Sequence, residues 1–372
     1  MSVRVNFFTQ FSTTGVGRHS ENAFFSMSRN RPAGLLPVYV NLSRQAAIRR
    51  AVTEGEPERD VTIFFWRYAA PFLRQFRGPR AFWWFFESDR LAPKWLEEIE
   101  PFDQIWAPSE WGRRVLAAHG VASERLRVIE SGVNGRVYRP QARAHNGFVF
   151  LSVGKYEKRK SIDETVEAFL AEFPAAQYPD VQLVLKADYP LYPQRVQDLA
   201  ARLAHDARVR VVSGEFTDEE MAMLYNGADA FVFPSKAEGF GLPCLEAIAC
   251  AVPVIATCVS AQTAFLDRIP GLFAPVETVL APIDDEDFRH FYAADFGAGD
   301  HGAGDFGNWG LPSIESLRRA MRDVYENRDD WRRRASQAAQ IVHEEFSWDV
   351  IARKAIAAAQ DLQLRAAAGS LA

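Results

Sequence analysis

The sequence predicts an α/β protein of two domains, and three observations carry that reading. At 372 residues the chain outruns a single typical core of about 150 residues. Short apolar runs alternate with amphipathic stretches in two separate series. Between the series, residues 139–147 are polar and carry Pro140, which suits an interdomain linker.

In the first series, strands are expected at residues 3–8, 35–40, 61–66, 81–86, 104–107 and 126–129. Gly15, Gly17 and Arg18 fall in a glycine loop after the first strand, ahead of a helical run at 21–27. The second series opens at 148–153 and continues through 181–186, 209–213, 230–234 and 254–256. Residues 296–310 repeat GAGD, and their glycine content predicts a mobile, solvated loop; no EF-hand loop or nine-residue calcium repeat accompanies the aspartates. From Trp331 the tail is rich in arginine and alanine and reads as helix through Leu364.

Composition removes several function classes. Lys and Arg number 43 against 48 Asp and Glu, a net charge of -5 that argues against a polyanion-binding surface, so no nucleic-acid partner is expected. No apolar stretch approaches the roughly 20 residues that cross a bilayer, and residues 1–8 lack the long apolar region of a signal peptide. A cytoplasmic protein with at most peripheral membrane association is expected. Cys244, Cys250 and Cys258 form no C-x-x-C pair and have no histidine at metal-ligand spacing, so all three are expected to be buried, reduced packing residues. A nucleophilic Cys244 is the alternative.

The most informative segment is 234–257, PSKAEGFGLPCLEAIACAVPVIAT. A buried strand runs into a turn carrying Gly239 and Gly241, and Pro243 is favoured in the first turn of the helix that follows. Backbone amides of Gly239, Phe240, Gly241 and Leu242 at such a helix start suit a diphosphate, while Glu238 and Glu246 on either side suit sugar hydroxyls. Two glutamates eight apart mean little alone; the complete strand, turn and helix give them weight.

This string closely resembles the E-x7-E signature of the retaining GT-B glycosyltransferases of family GT4, the glycosyl transferase group 1. The resemblance implies a GT-B fold, two Rossmann-like domains facing a central cleft, with Glu238 on the donor sugar and Glu246 on the nucleotide ribose. Domains would span 1–140 on the acceptor side and 141–345 on the donor side, with 346–372 crossing back to the first. The family's two diphosphate-binding cations map onto Lys155 and Lys160 in the basic loop GKYEKRKS, with lysine for the usual arginine and Ser161 for the usual glycine. Replacing Lys160 with alanine is expected to weaken transition-state stabilisation and to leave folding nearly unaffected. A purely solvated basic loop is the competing reading.

The family also places a glycine-rich loop near the donor phosphates and acceptor, which assigns Gly15, Gly17 and Arg18 to donor binding; otherwise those glycines only permit a tight turn. A dinucleotide fingerprint is incomplete there, because Ser20 stands at the third glycine and no carboxylate follows Asn41. Glu87, in WWFFESDR, is a candidate acceptor-side residue, and His119 before Gly120 reads as a helix cap. The histidine that many family members hold near the donor sugar has no evident counterpart.

The implied chemistry is transfer of a hexosyl-type sugar from a UDP- or GDP-linked donor to an acceptor hydroxyl, with retained configuration. The acceptor could be a saccharide, a lipid-linked glycan or another hydroxyl compound. No metal site and no cofactor are expected, since the nucleotide-sugar is a substrate. Lys155, Lys160 and the amides near Phe240 would offset charge on the leaving diphosphate, with Glu238 beside the reacting sugar. A nicotinamide-dependent oxidoreductase and a non-catalytic sugar-nucleotide-binding protein are the competing classes.

Overall fold

The structure, a computed structural model, describes residues 3–12, 14–56, 58–66, 72–142, 146–189, 191–297 and 305–369. It divides into two compact units, the first formed by Met1–Gly132, Glu286–Gly307 and Phe346–Ala372, the second by Val133–Asp285 and Asn308–Glu345.

The first unit begins as β1 (Val3–Thr9), α1 (Gly15–Asn30), β2 (Leu35–Asn41), α2 (Gln45–Glu54), β3 (Val61–Phe64), β4 (Arg80–Trp83), α3 (Pro93–Ile99), β5 (Gln104–Ala107), α4 (Glu110–Ala118) and β6 (Leu126–Val128). Its strands form one parallel sheet in the order β2-β1-β3-β4-β5-β6. A sheet covered on both faces needs apolar residues at odd and even positions alike. Accordingly Phe7, Ile63 and Trp83 pack with Ala23 and Met27 of α1, whereas Phe8, Phe64 and Phe82 pack on the other face with Ile48, Trp95 and Leu116. Two expected strands end early, at Phe64 and Trp83 instead of 66 and 86. Trp84 and Phe86 remain buried, but they do so as core side chains beyond the ladder.

The second unit runs β7 (Phe148–Lys155), α5 (Ile162–Glu172), β8 (Val181–Asp188), α6 (Pro193–Leu203), β9 (Val209–Val212), α7 (Asp218–Asn226), β10 (Ala230–Phe233), α8 (Leu242–Ala249), β11 (Val254–Thr257), α9 (Thr263–Leu266), β12 (Ala274–Val276) and β13 (Thr278–Pro282). Its parallel sheet has the order β12-β11-β10-β7-β8-β9. The chain therefore builds outward from β7 to β9, then returns to β10 and builds the other way. That reversal makes a switch point between β7 and β10, where the following loops diverge and leave room for a ligand. Both units are thus Rossmann-like α/β domains.

After β13, α10 (Glu286–Tyr292) and the residues to Gly307 belong to the first unit. Trp95 packs edge-on against Tyr292 and Phe296 at 5.1 and 5.3 Å and donates from Nε1 to Asp295 at 2.7 Å. Phe306 is buried, its carbonyl accepting from Ser88 Oγ at 2.6 Å, and Asn308–Pro312 forms β14, antiparallel to β13. The expectation of a mobile loop over 296–310 is therefore corrected at both ends, where aromatic packing and strand pairing fix the backbone; residues 298–304 lie outside the described residues. Next come α11 (Ile314–Glu326) and α12 (Arg328–Glu345) in the second unit, and α13 (Trp348–Ala367) in the first. On α1, Ser26 Oγ and Asn30 Nδ2 donate to Asp349 of α13 at 2.8 and 2.7 Å. Among the described residues no helix is long and apolar enough to cross a membrane.

Candidate donor site

The site is built at the switch point of the second unit. β10 is completely buried, and the chain leaves it through Pro234 into the turn that starts α8. Gly241 caps that helix at φ 98°, in the left-handed region, and a Cβ there would lie 3.3 Å from Gln262, so conformation and space both call for glycine. Pro243 occupies the first helical turn, where its missing N–H removes no helix bond. The first intrahelical acceptor is Gly241, which takes the N–H of Cys244 and Leu245 at 3.0 and 3.2 Å. The amides at the start of α8 have no carbonyl one turn back within the helix.

Glu238 is held from all sides although it is only 5% exposed. Its N–H donates to Ser260 Oγ at 2.8 Å. Its Oε1 accepts from Lys160 Nζ and Ser235 Oγ, both at 2.5 Å, and Oε2 lies 3.3 Å from Arg159 Nη1. Burial acts to raise the pKa of this carboxyl, but the Lys160 and Arg159 charges and the two hydrogen bonds outweigh it and hold it below the usual range. Burial likewise lowers the Lys160 ammonium from its ordinary value against the opposing pull of Glu238. The pair is ionic and largely buried.

Lys160 reaches this position through a tight loop. β7 ends at Lys155, residues 158–160 form one 3-10 turn, and Ser161 adopts φ 53° before α5 begins. This is the left-handed conformation that glycine adopts most readily, here taken by serine. A Cβ on Gly154 would lie 3.2 Å from Lys160 Cγ, so the absence of a side chain gives the lysine stem its path. Arg159 joins this loop to the glutamate turn: Nη1 donates to the Ala237 carbonyl at 2.7 Å, and its own carbonyl accepts from Lys236 N at 2.8 Å. Nothing about residue 159 in the sequence pointed to that bridge.

Three expectations are corrected here. Lys160 is not a solvated loop cation; its side chain is 10% exposed and neutralises a buried carboxylate, so its removal cannot be neutral for folding. Gly15, Gly17 and Arg18 do not form a loop ahead of a helix. They are the first turn of α1, because Thr14 Oγ1 caps the helix by accepting from Gly17 N at 3.1 Å. A Cβ on Gly17 would approach the Ser12 carbonyl to 2.6 Å, while Gly15 faces open space. Third, Cys244 and Cys250 are buried but Cys258 is only half-buried, its Sγ 3.4 Å from Asp267. Burial and then Asp267 push the Cys258 thiol up to about 12, and burial drives Cys244 well above its ordinary value, so neither supplies a thiolate near neutral pH.

The remaining candidates separate. Lys155 is half-exposed, with Nζ 3.7 Å from Glu157, and stands outside the cluster around Glu238. Gly239 and Phe240 line the turn; Phe240 is buried against Phe265 at 5.4 Å, and Leu242 opens α8 half-buried. Glu246, one turn further along α8, is also half-buried and accepts from Tyr225 OH of α7 at 2.9 Å. Glu87 follows β4 in the first unit. His119 caps α4, with Nδ1 2.8 Å from the Val115 carbonyl and Nε2 accepting from Leu91 N at 3.2 Å. A different histidine, His19, is enclosed by Trp83, Phe85 and Trp348, and its Nδ1 lies 2.7 Å from Ser131 Oγ.

Residues 147–287 match the family described as glycosyl transferases group 1, a span that contains Lys155, Lys160, Glu238 and Glu246. Through this segment the chain is similar to the group 1 glycosyl transferases. Similar curated relatives include D-inositol 3-phosphate glycosyltransferase 1 of Catenulispora acidiphila, 33% identical over 199 residues. The aligned stretch is 46% of this chain and 46% of that protein. D-inositol 3-phosphate glycosyltransferase of Mycobacterium tuberculosis is 31% identical over 176 residues, 43% of this chain and 35% of the relative. The chain thus matches less than half the length of these relatives. The fold is that of GT-B glycosyltransferases. Anabaena HepE in complex with UDP and glucose aligns with TM-score 0.67 and 15% identity over 96% of this chain and 99% of that one. Sucrose-phosphate synthase from Thermosynechococcus elongatus aligns with TM-score 0.67 and 17% identity over 97% and 99%.

Proposed function

We propose that this chain is a retaining, metal-independent glycosyltransferase that moves a hexosyl-type sugar from a UDP- or GDP-linked donor to an acceptor hydroxyl in glycan or glycoconjugate synthesis. The observation that carries the reading is Glu238, buried and charged beside Lys160 at the start of α8. A buried ion pair at a switch point is a poor stabilising device but a well-prepared receptor. Anabaena HepE, of the same fold, has been crystallised with UDP and with UDP-glucose, which supports a nucleotide-sugar ligand. The curated relatives are D-inositol 3-phosphate glycosyltransferases, which supports the activity.

On this reading the donor diphosphate lies against the amides of Gly239 to Leu242 and draws Lys160 toward it. Lys155 adds a second, mobile charge from the end of β7. Arg159 and Ser235 then keep Glu238 ionised and in place to accept from the sugar hydroxyls, while Glu246 accepts from the ribose diol. Lys160 and the amides act where charge develops on the leaving diphosphate, so their effect is greatest in the transition state. The family resemblance implies displacement on one face of the sugar, with a donor phosphate oxygen taking the acceptor proton. Gly15, Gly17 and Arg18 are the further donor-binding residues of this proposal. The acceptor is a hydroxyl compound of open class, and the setting is the cytoplasm.

The test is turnover with a panel of UDP- and GDP-sugars and simple saccharide acceptors, followed by NMR of the product anomer, with and without excess EDTA. A retained anomer and an unchanged rate in chelator are expected. Among the described residues no three His, Cys, Asp or Glu side chains converge as a metal site. An inverted product, or activity lost in EDTA and restored by magnesium or manganese, overturns the mechanism. Thermal stabilisation by NAD(H) in place of any nucleoside diphosphate would favour the oxidoreductase class instead.

A further inference from the structure

We infer that Tyr225 is a positioning residue that presents the Glu246 carboxylate to the nucleotide ribose. This rests on the reading of Glu246 as the ribose-binding group. Tyr225 lies in the last turn of α7 with no exposed surface, and its hydroxyl donates to Glu246 Oε2 at 2.9 Å. The two side chains come from different helices, so the bond sets the carboxylate relative to the sheet and not merely within α8.

The phenol is itself fixed. Its ring meets Phe231 of β10 edge-on at 5.5 Å and Tyr138 at 6.1 Å, and Tyr138 OH donates to Asp218 in the first turn of α7 at 3.2 Å. Thr217 and Glu220 close a reciprocal capping box at the start of that helix. Burial, then the Glu246 charge, push the Tyr225 phenol well above its usual range, so it stays a donor at all working pH values.

A glutamate on a half-exposed helix surface otherwise samples several rotamers, and ordering it on binding costs affinity. A carboxylate has about four acceptor positions, so accepting one phenol is compatible with accepting from a vicinal diol. The Tyr225 phenol takes one of them.

Tyr225→Phe removes the hydroxyl and keeps the ring contacts. Calorimetric titration with UDP, GDP and their 2′-deoxy counterparts reads the consequence. For the ribonucleotide that the wild type binds, the variant should be roughly tenfold weaker, the size of a hydrogen bond to a charged group. Its preference for ribose over 2′-deoxyribose should shrink by a similar factor, which a general loosening of the fold would not produce. Glu246→Ala should abolish that preference, and adding Tyr225→Phe to it should cost nothing more. An unchanged ribose preference in Tyr225→Phe, or additive losses in the double variant, overturns this inference alone. A wild-type protein that binds neither diphosphate overturns the donor-site reading beneath it.

Discussion

Lys160 and Glu238, 78 residues apart in sequence, meet at 2.5 Å in a site that solvent scarcely reaches. Each therefore depends on the other for its charge. Arg159 Nη1 and Ser235 Oγ also contact the Glu238 carboxylate, at 3.3 and 2.5 Å.

Lys160→Met should accordingly destabilise the fold as well as the transition state. Removing one member of a buried pair leaves its partner uncompensated, at a cost of about 3 kcal/mol or somewhat less with Arg159 still in place. Denaturant unfolding at neutral pH measures this. Lys160→Met/Glu238→Gln should recover most of the stability and none of the turnover. Unfolding of the single variant at the wild-type midpoint would show that the pair is not buried as described.

Arg159→Met probes the same carboxylate through pH. Against burial, Lys160 and Arg159 together hold the Glu238 carboxyl below its usual value, so removing one positive charge must raise it. A group with a depressed native pKa keeps its charged form at neutral pH and loses it as pH falls through that value. The acid limb of kcat/KM should therefore move to higher pH in the variant while the two profiles converge toward neutrality. An acid limb at the wild-type position would remove Arg159 from the site.

Glu238 and Glu246 have different partners, and their losses should differ in kind. Glu246→Ala should weaken the free nucleoside diphosphate and the intact donor alike, whereas Glu238→Ala should weaken the intact donor far more. Calorimetry with both ligands decides it. Equal losses for both ligands in both variants would contradict the division of roles.

The parts of this architecture that were legible in the sequence are local. Residues 230–249 read as strand, glycine turn and helix because a continuous apolar run, Gly241 and Pro243 act within a few residues, and β10 and α8 lie there. Where local cues compete, the reading slipped: the glycines at 15 and 17 suggested a loop, but the Thr14 cap starts α1 among them. Aromatic runs at 64–66 and 83–86 could not reveal where ladder pairing stops, since burial continues past it. Arg159, Tyr225 and the docking of Asp295 on Trp95, 200 residues away, depend on tertiary contacts that have no sequence period. They carry ordinary residue types at unremarkable positions.

His19 was one such residue, and it gives a prediction independent of the donor site. Its imidazole is buried among Phe65, Trp83, Phe85 and Trp348, and burial lowers its pKa from 6.5 to about 3. Nδ1 pairs with Ser131, while Nε2 has no hydrogen-bond partner among the described residues, so the native state gains nothing by protonating it. The sign follows from proton counts: between about pH 6.5 and 3 the unfolded chain binds a proton at this position that the folded chain does not. His19 thus favours folding fully above pH 6.5, and that contribution is lost as pH falls through this window, at about 1.4 kcal/mol per pH unit while the fold persists. His19→Gln is less stable near neutrality, where the bond to Ser131 and the ring packing count, but its stability should decline less steeply with acid. The difference in unfolding free energy between the two proteins should therefore narrow by roughly one proton's worth of slope from pH 6.5 to 5. Parallel pH dependences would mean that His19 is hydrated or protonated in the native state, and that the aromatic enclosure does not keep it neutral.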